Sequence, residues 1–345
     1  MLDVVMADDG IVFDGRSAEA GPLGGAETAF VALAEALAAR GHRVEARSQC
    51  RAPLTHNGVA WAPLAAGVPD SCDLFIGNRS YKVMGLVKRA RRRLFWLHNP
   101  ARYLKKPRNL LRLAWYRPTL VLCGPYHANT VPPWLPSGGR VIVPYGVLEE
   151  FRATAERETP PPRAVFTSNP LRGLDWLLEL WATRIAPVVP EAELHVYGGP
   201  AVYGAGGEAA RQMEAVLARA EALYAKGVRR HKPVRHDELA GVLARSRVML
   251  YRGDPGEAFC TALAEAQSIG LPAIVQPLGM VAERVVDGVT GCVAPDDAAF
   301  AADAIRLLRD DALWRGFHRE ALARQRGLSW DEVAARYEAL IDNSA

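Results

Sequence analysis

The stretch Val248-Met249-Leu250-Tyr251-Arg252-Gly253-Asp254-Pro255-Gly256-Glu257-Ala258-Phe259-Cys260-Thr261-Ala262-Leu263-Ala264-Glu265-Ala266 decides the fold. Residues 248–251 are a short apolar run of the kind that forms a buried parallel strand. Pro255 and Gly256 then turn the chain into a helix expected around Thr261–Ile269, with its start near Phe259. An apolar run at 273–275 supplies the next strand, so the segment is a strand-turn-helix-strand unit of an α/β sheet. The amides of Phe259, Cys260 and Thr261 would point beyond the strand, where the helix dipole favours an anion. Glu257 and Glu265 lie eight positions apart, at most ~12 Å along a helix axis. One carboxylate could therefore stand at each end of an elongated ligand whose diphosphate sits between them, and carboxylates accept well from paired sugar hydroxyls.

The same alternation extends outward in both directions. Apolar runs are expected as strands at 164–167 and 194–197, the latter ending in Gly198-Gly199. Upstream, strands are expected at 2–7, 44–46, 74–76, 94–97, 120–123 and 141–143. A helix opens at Gly24-Gly25-Ala26-Glu27, with Phe30, Leu33, Ala34 and Leu37 on one face. Helices are also expected at 300–309 and around Trp330, Val333, Ala334, Tyr337 and Ile341. The proline-rich 158–163 is expected to be a stiff linker and the domain boundary. Two doubly wound parallel sheets follow, with ligands past the carboxyl ends of the strands and the natural site in a cleft between the domains.

With 345 residues, half of them hydrophobic and 23% charged, the chain can bury two cores of ordinary size. No apolar run approaches the ~18 residues that cross a bilayer. The start, Met1-Leu2-Asp3-Val4-Val5, lacks the basic and apolar regions of a signal peptide, so a cytoplasmic protein is expected. Five scattered cysteines without a C-x-x-C fit neither a disulfide framework nor a zinc site.

Net charge is only +4, but it is unevenly placed. No Asp or Glu occurs between Asp73 and Glu149, whereas residues 79–117 hold thirteen Lys and Arg with Tyr81, Phe95, Trp96, Tyr103, Trp115 and Tyr116 among them. Such a region is expected to dock a polyanion: an anionic substrate, an anionic membrane face, or nucleic acid. The chain has no G-x-G-x-x-G, no G-x-x-x-x-G-K-[ST], no D-x-D and no His/Cys cluster. A nicotinamide enzyme, a P-loop ATPase and a metal centre therefore have little support.

Downstream of the deciding stretch come Gly270-Leu271-Pro272-Ala273-Ile274-Val275 and Asp287-Gly288-Val289-Thr290-Gly291. In this order the pieces resemble the nucleotide-sugar half of a family 4 (GT4) retaining glycosyltransferase with the GT-B fold, two Rossmann-like domains facing across a cleft. The resemblance extends to the Gly24-Gly25 loop, the His98 segment, Arg172-Gly173-Leu174 and the closing Trp330 helix. It implies an acceptor domain at 1–155, a nucleotide-sugar domain at 156–327, and a helix at 328–345 that crosses back to the first domain.

What the resemblance implies for single residues is specific. Glu265 would hold the ribose hydroxyls and Glu257 the transferred sugar. Phe259, Cys260 and Thr261 would cradle the diphosphate with Gly24 and Gly25, and Arg172 would neutralise the leaving diphosphate. His98 would stand near the donor sugar, and Lys232, Pro233 and Val234 would flank the base. Ala258, Thr167 and Lys232 depart from the residues usual in the family, Thr167 leaving one cation fewer. The expected reaction moves a sugar from a UDP- or GDP-type donor, without a metal or other cofactor, to a lipopolysaccharide core or lipid-linked glycan at the inner membrane face. Front-face attack, with the leaving phosphate taking the acceptor's proton, fits such a site. The alternatives are a nucleotide-sugar epimerase on a similar fold and a non-catalytic binding protein. A nucleic-acid binder is disfavoured by the Glu257/Glu265 pair.

Overall fold

Strand β1, Asp3–Ala7, is buried from Val4 onward and forms the centre of the first sheet. In this computed structural model, which describes residues 1–152 and 155–342, β1 pairs in parallel with β2 (Arg43–Ser48) and with β5 (Ser71–Asn78). Strands β3 (Leu54–His56) and β4 (Val59–Pro63) lie beyond β2, and β6 (Arg89–Trp96), β7 (Thr119–Leu122) and β8 (Gly139–Ile142) beyond β5. The order is β3-β4-β2-β1-β5-β6-β7-β8, parallel throughout except for β3 against β4. That antiparallel pair was not expected. Its two-residue turn is Asn57-Gly58, both at positive φ (44° and 78°), the conformation that matches the twist of a tight hairpin.

The second sheet holds β9 (Arg163–Phe166), β10 (Glu193–Tyr197), β11 (Val228–His231), β12 (Val248–Gly253), β13 (Ala273–Leu278) and β14 (Gly291–Val293). All are parallel, in the order β11-β10-β9-β12-β13-β14. This is the doubly wound arrangement, in which the order reverses between the first and fourth strands and leaves a crevice past their carboxyl ends. Leu250, Ile274, Phe166 and Val196 are fully buried. Each such side chain contributes about 1.5–3 kcal/mol against exposure.

The residues separate into two units: Met1–Ala20 and Gly25–Gly146 with the chain from Leu328 on, and Gly21–Gly24 with Val147–Gly327. The chain thus changes unit at 146/147, not at the expected 155/156, and the proline-rich segment is not a free linker. Pro160 and Pro162 carbonyls accept from Arg247 Nη1 (3.3 Å) and the Glu193 amide (3.0 Å), which docks the segment onto the second unit. Ala153 and Thr154 of the expected hinge, and 343–345 of the expected closing segment, lie outside the described residues. The closing helix Trp330–Asp342 belongs to the first unit. There Glu338 takes both Arg40 (2.7 Å) and His42 (2.6 Å), and Arg40 also reaches Asp331 (2.8 Å). Among the described residues no helix is long and apolar enough to cross a membrane.

Candidate active site

The crevice of the second sheet is bordered by the loop after β9 (167–173), which carries Arg172, and the loop after β12 (254–260), which carries Asp254 and Glu257. In the first loop Asn169 accepts the Leu171 amide on its side chain (2.9 Å) and the Arg172 amide on its carbonyl (2.8 Å). Gly173 follows at φ +84°, where a Cβ would meet Arg252 Cβ at 3.2 Å, so the reversal into the helix requires glycine. In the second loop Asp254 accepts from the amides of Gly256 (2.7 Å) and Glu257 (3.0 Å). Gly279 lets the next loop close against it, since a Cβ there would stand 2.1 Å from the Asp254 carbonyl oxygen.

Arg172 and Glu257 meet across the crevice, Nη1 to Oε1 at 2.8 Å, and the Tyr251 hydroxyl donates to the other oxygen of Glu257 at 2.5 Å. Glu257 is only 4% exposed. Burial raises its carboxyl above the ordinary value, with Arg172 and Tyr251 opposing. Burial alone would weaken the charge of Arg172, but the Glu257 carboxylate reverses this and holds the guanidinium above its usual value. A third of the Arg172 side chain stays exposed, leaving the cation accessible to a ligand.

The helix after this loop is Thr261–Ser268, inside the expected range of 261–269. Cys260 takes φ +59°, and the Phe259 carbonyl accepts from Arg284 Nε (3.0 Å), whose guanidinium lies 3.8 Å from the Phe259 ring centroid. The first intrahelical bond runs from the Ala264 amide to the Cys260 carbonyl (3.1 Å). The amides of Thr261 and Ala262 therefore precede the helical ladder and face the end where the dipole is positive. Burial pushes the Cys260 thiol up, which makes it inert as a nucleophile.

Glu265, on the same helix, is 5% exposed, and His236 Nε2 lies 3.9 Å from its carboxylate. Burial lowers the His236 pKa, so that ring is no ion-pair partner, and burial together with Glu150 pushes the Glu265 carboxyl up to about 8. Lys232, Pro233 and Val234 follow β11. Pro233 packs where a Cβ on Gly199 would lie 3.3 Å from its Cγ, so the loop sits at the carboxyl ends of β10 and β11. Beside it Tyr197 and His231 stack at 4.5 Å and 10°.

Three side chains of this region escaped the sequence reading: Tyr251, Arg284 and Tyr203. Burial raises the Tyr203 hydroxyl, and the charges of Arg172 and Glu257 reach it. Its position just after Gly198-Gly199-Pro200, at the end of a strand, was the available signal.

In the first unit His98 follows β6. One ring nitrogen meets the Tyr145 hydroxyl and the other Asn78 Oδ1. The Asn78 amide donates to Asp8 (2.5 Å), and Arg79 bridges Asp8 (2.8 Å) and Glu27 (2.6 Å). Burial, then Arg79 and His127, lower the His98 pKa, so the ring is neutral with both nitrogens engaged inside its own unit. Gly25 is the first residue of the helix Gly25–Ala39, Glu27 lies in its first turn, and Gly24 is grouped with the second unit. Of the thirteen basic residues, Arg79 is thus an internal partner of carboxylates. Arg93 is another internal one, donating to the Met84 and Val87 carbonyls and lying 5.2 Å from the Phe75 and Tyr116 ring centroids.

The chain is similar to several known proteins. Residues 161–310 match the family model described as Glycosyl transferases group 1. A D-inositol 3-phosphate glycosyltransferase of Geodermatophilus obscurus is 32% identical over 184 residues, 51% of this chain and 40% of that protein. The chain spans less than half the length of the curated relatives it matches. Among solved structures, a sucrose-phosphate synthase from Thermosynechococcus elongatus superposes with a TM-score of 0.73 at 16% identity, covering 98% of both chains. Anabaena Alr3699/HepE in complex with UDP-glucose gives 0.70 at 12% identity over 99% of both. Two parallel-sheet α/β units matched at these scores are the GT-B fold expected from the sequence.

Proposed function

We propose, with residues 161–310 as a glycosyl transferases group 1 region for premise, that the protein is a retaining glycosyltransferase. It takes a sugar from a UDP- or GDP-type nucleotide donor and passes it to an anionic cell-envelope or lipid-linked acceptor. The observation that carries this reading is the Arg172–Glu257 pair at the switch point, next to the amides of Thr261 and Ala262 and on the same short helix as Glu265.

The chemistry follows from charge. Breaking a glycosyl-phosphate bond leaves negative charge on the diphosphate and an oxocarbenium-like sugar. The accessible Arg172 cation and the helix amides are fixed dipoles aimed where that negative charge grows, so little reorganisation is needed during the step. Glu257 has one oxygen on Arg172 and the other on Tyr251, which fixes the carboxylate as an acceptor for sugar hydroxyls. Among the described residues Glu265 has no ion-pair partner closer than the His236 ring at 3.9 Å, so its buried carboxyl is a site that paired ribose hydroxyls would satisfy. The acceptor's proton would leave on the departing phosphate oxygen, with attack on the same face of the sugar. In this reading the positive charge needed at the diphosphate comes from the protein, and no metal is assigned a role. An anionic acceptor is supported by the acid-free basic region and by the phosphorylated polyol in the name of the Geodermatophilus relative.

The test is a melting-point panel with UDP, GDP, ADP and dTDP, with and without magnesium, followed by a sugar screen with the nucleotide that binds. A ligand at a hundred times its dissociation constant adds about 2.7 kcal/mol, a shift of several degrees. One nucleotide shifting the wild type without magnesium, and not Arg172→Ala, is expected. No shift with any of the four overturns the reading.

A further inference from the structure

The helix Pro107–Tyr116 buries Leu113 and Asn109 and presents Arg108, Leu111, Arg112 and Trp115 outward. These positions are spaced by three and four residues and so share one face. Trp115 is 82% exposed and Leu111 74%, two large apolar side chains a turn apart. Around them Arg102, Lys105, Lys106 and Arg117 are exposed as well, and the sequence holds no carboxylate from 74 to 148 that could neutralise them.

We infer that this helix lies in the surface of an anionic lipid bilayer, with Leu111 and Trp115 entering the boundary between headgroups and acyl chains. The cations on and beside it would then meet the lipid phosphates. An amphipathic helix that is cationic and carries a Trp and a Leu on its outer face has the chemistry of that boundary, where the indole keeps its N–H in the polar layer. A second copy of the chain would bring like charge against like charge. Nucleic acid would use the cations but offers no apolar layer for Leu111. The inference goes beyond the proposed reaction and stands on the first unit alone, whereas the candidate nucleotide site is in the second.

The experiment is sedimentation of the full chain with vesicles of phosphatidylcholine alone and of phosphatidylcholine with phosphatidylglycerol, at near-physiological salt. Binding is expected only to the anionic vesicles. The double variant Leu111→Ser/Trp115→Ser should bind at least about thirtyfold more weakly. Arg108→Glu/Arg112→Glu should lose at least about 25-fold, and the wild type should weaken as salt rises. All four side chains are exposed, so unchanged melting curves and an unchanged nucleotide response separate this test from that of the donor site. Equal binding to both vesicle types, wild-type binding by Leu111→Ser/Trp115→Ser, or tighter binding of a duplex RNA than of anionic vesicles overturns the inference.

Discussion

Each sheet reverses its strand order once, and the two switch points have been filled differently. In the first unit the ends of β1 and β5 bring Asp8, Asn78 and Arg79 together, and these side chains pair with one another and their neighbours: Arg79 on Asp8 and Glu27, Asn78 on Asp8 and His98. In the second the loops after β9 and β12 bring Arg172 to Glu257, but Arg172 remains a third exposed and, among the described residues, Glu265 has no ion-pair partner closer than the His236 ring at 3.9 Å. A fully paired network holds its own unit together. A partly paired one keeps binding capacity for something from outside. Topology makes the crevice in both cases, and the side chains decide whether it closes on itself or waits for a ligand.

The strongest way to break this comparison is Arg172→Ala. If the second switch point works on a ligand, turnover should fall about 10²–10³-fold, the range for loss of one fixed donor at a developing anion, while the melting point moves by only a few degrees. A variant with normal turnover and a collapsed melting point would make the two switch points alike. Arg79→Ala should do the reverse. It leaves Asp8 and Glu27 buried without their cation and should cost about 3 kcal/mol, on the order of 10 °C in the melting of that unit, with nucleotide binding intact.

The pH response sharpens the contrast. The Glu265 carboxyl keeps its proton up to about 8 in the folded chain, against 4.5 for the ordinary group. Folding therefore takes up a proton between these values, and stability falls as pH rises from about 4.5 towards 8. Glu265→Gln should melt higher than the wild type at pH 8 and converge with it in acid. Nucleotide binding to the wild type near pH 7 should release up to about one proton, because donor hydroxyls favour the carboxylate; calorimetry in buffers of different ionisation enthalpy reads this, and the Gln variant should release none. The smallest effect is expected from Asn169→Ala. Losing its bond to the Leu171 amide should cost about 1 kcal/mol and weaken nucleotide binding through Arg172 without abolishing it. Titrated melts with the binding nucleotide would show it.

Much of this architecture was legible because parallel strands buried on both faces are written as continuous apolar runs. The expected runs at 74–76 and 248–251 lie inside β5 and β12. The hairpin at 54–63 was missed although Asn57-Gly58 announces a tight turn, because its strands are short and only Val59 and Trp61 are buried. Helices 207–222 and 311–324 were missed as well. Their buried faces are narrow (Met213, Leu217 and Ala220 in the first), and the remainder mixes alanines with charged residues. The proline-rich segment reads as a linker from composition alone, but its carbonyls found donors on Arg247 and Glu193.

At the site, Glu257, Glu265 and Arg172 could be chosen from spacing and resemblance. That Arg172 and Glu257, 85 residues apart, form one ion pair could not. Nor could the way the turn enters that helix, with Cys260 at a left-handed φ and Arg284 holding the Phe259 carbonyl. The basic run from 79 to 117 likewise reads as one surface, yet the structure takes Arg79 and Arg93 inward and turns Leu111 and Trp115 outward. The sequence by itself determined the alternation of strands and helices, and with it two parallel sheets, each with one switch point, since burial and turn chemistry are local and periodic. Which charges neutralise one another and which stay available was decided by the tertiary structure alone, because that depends on distances across strands far apart in the chain and on how much water each side chain keeps.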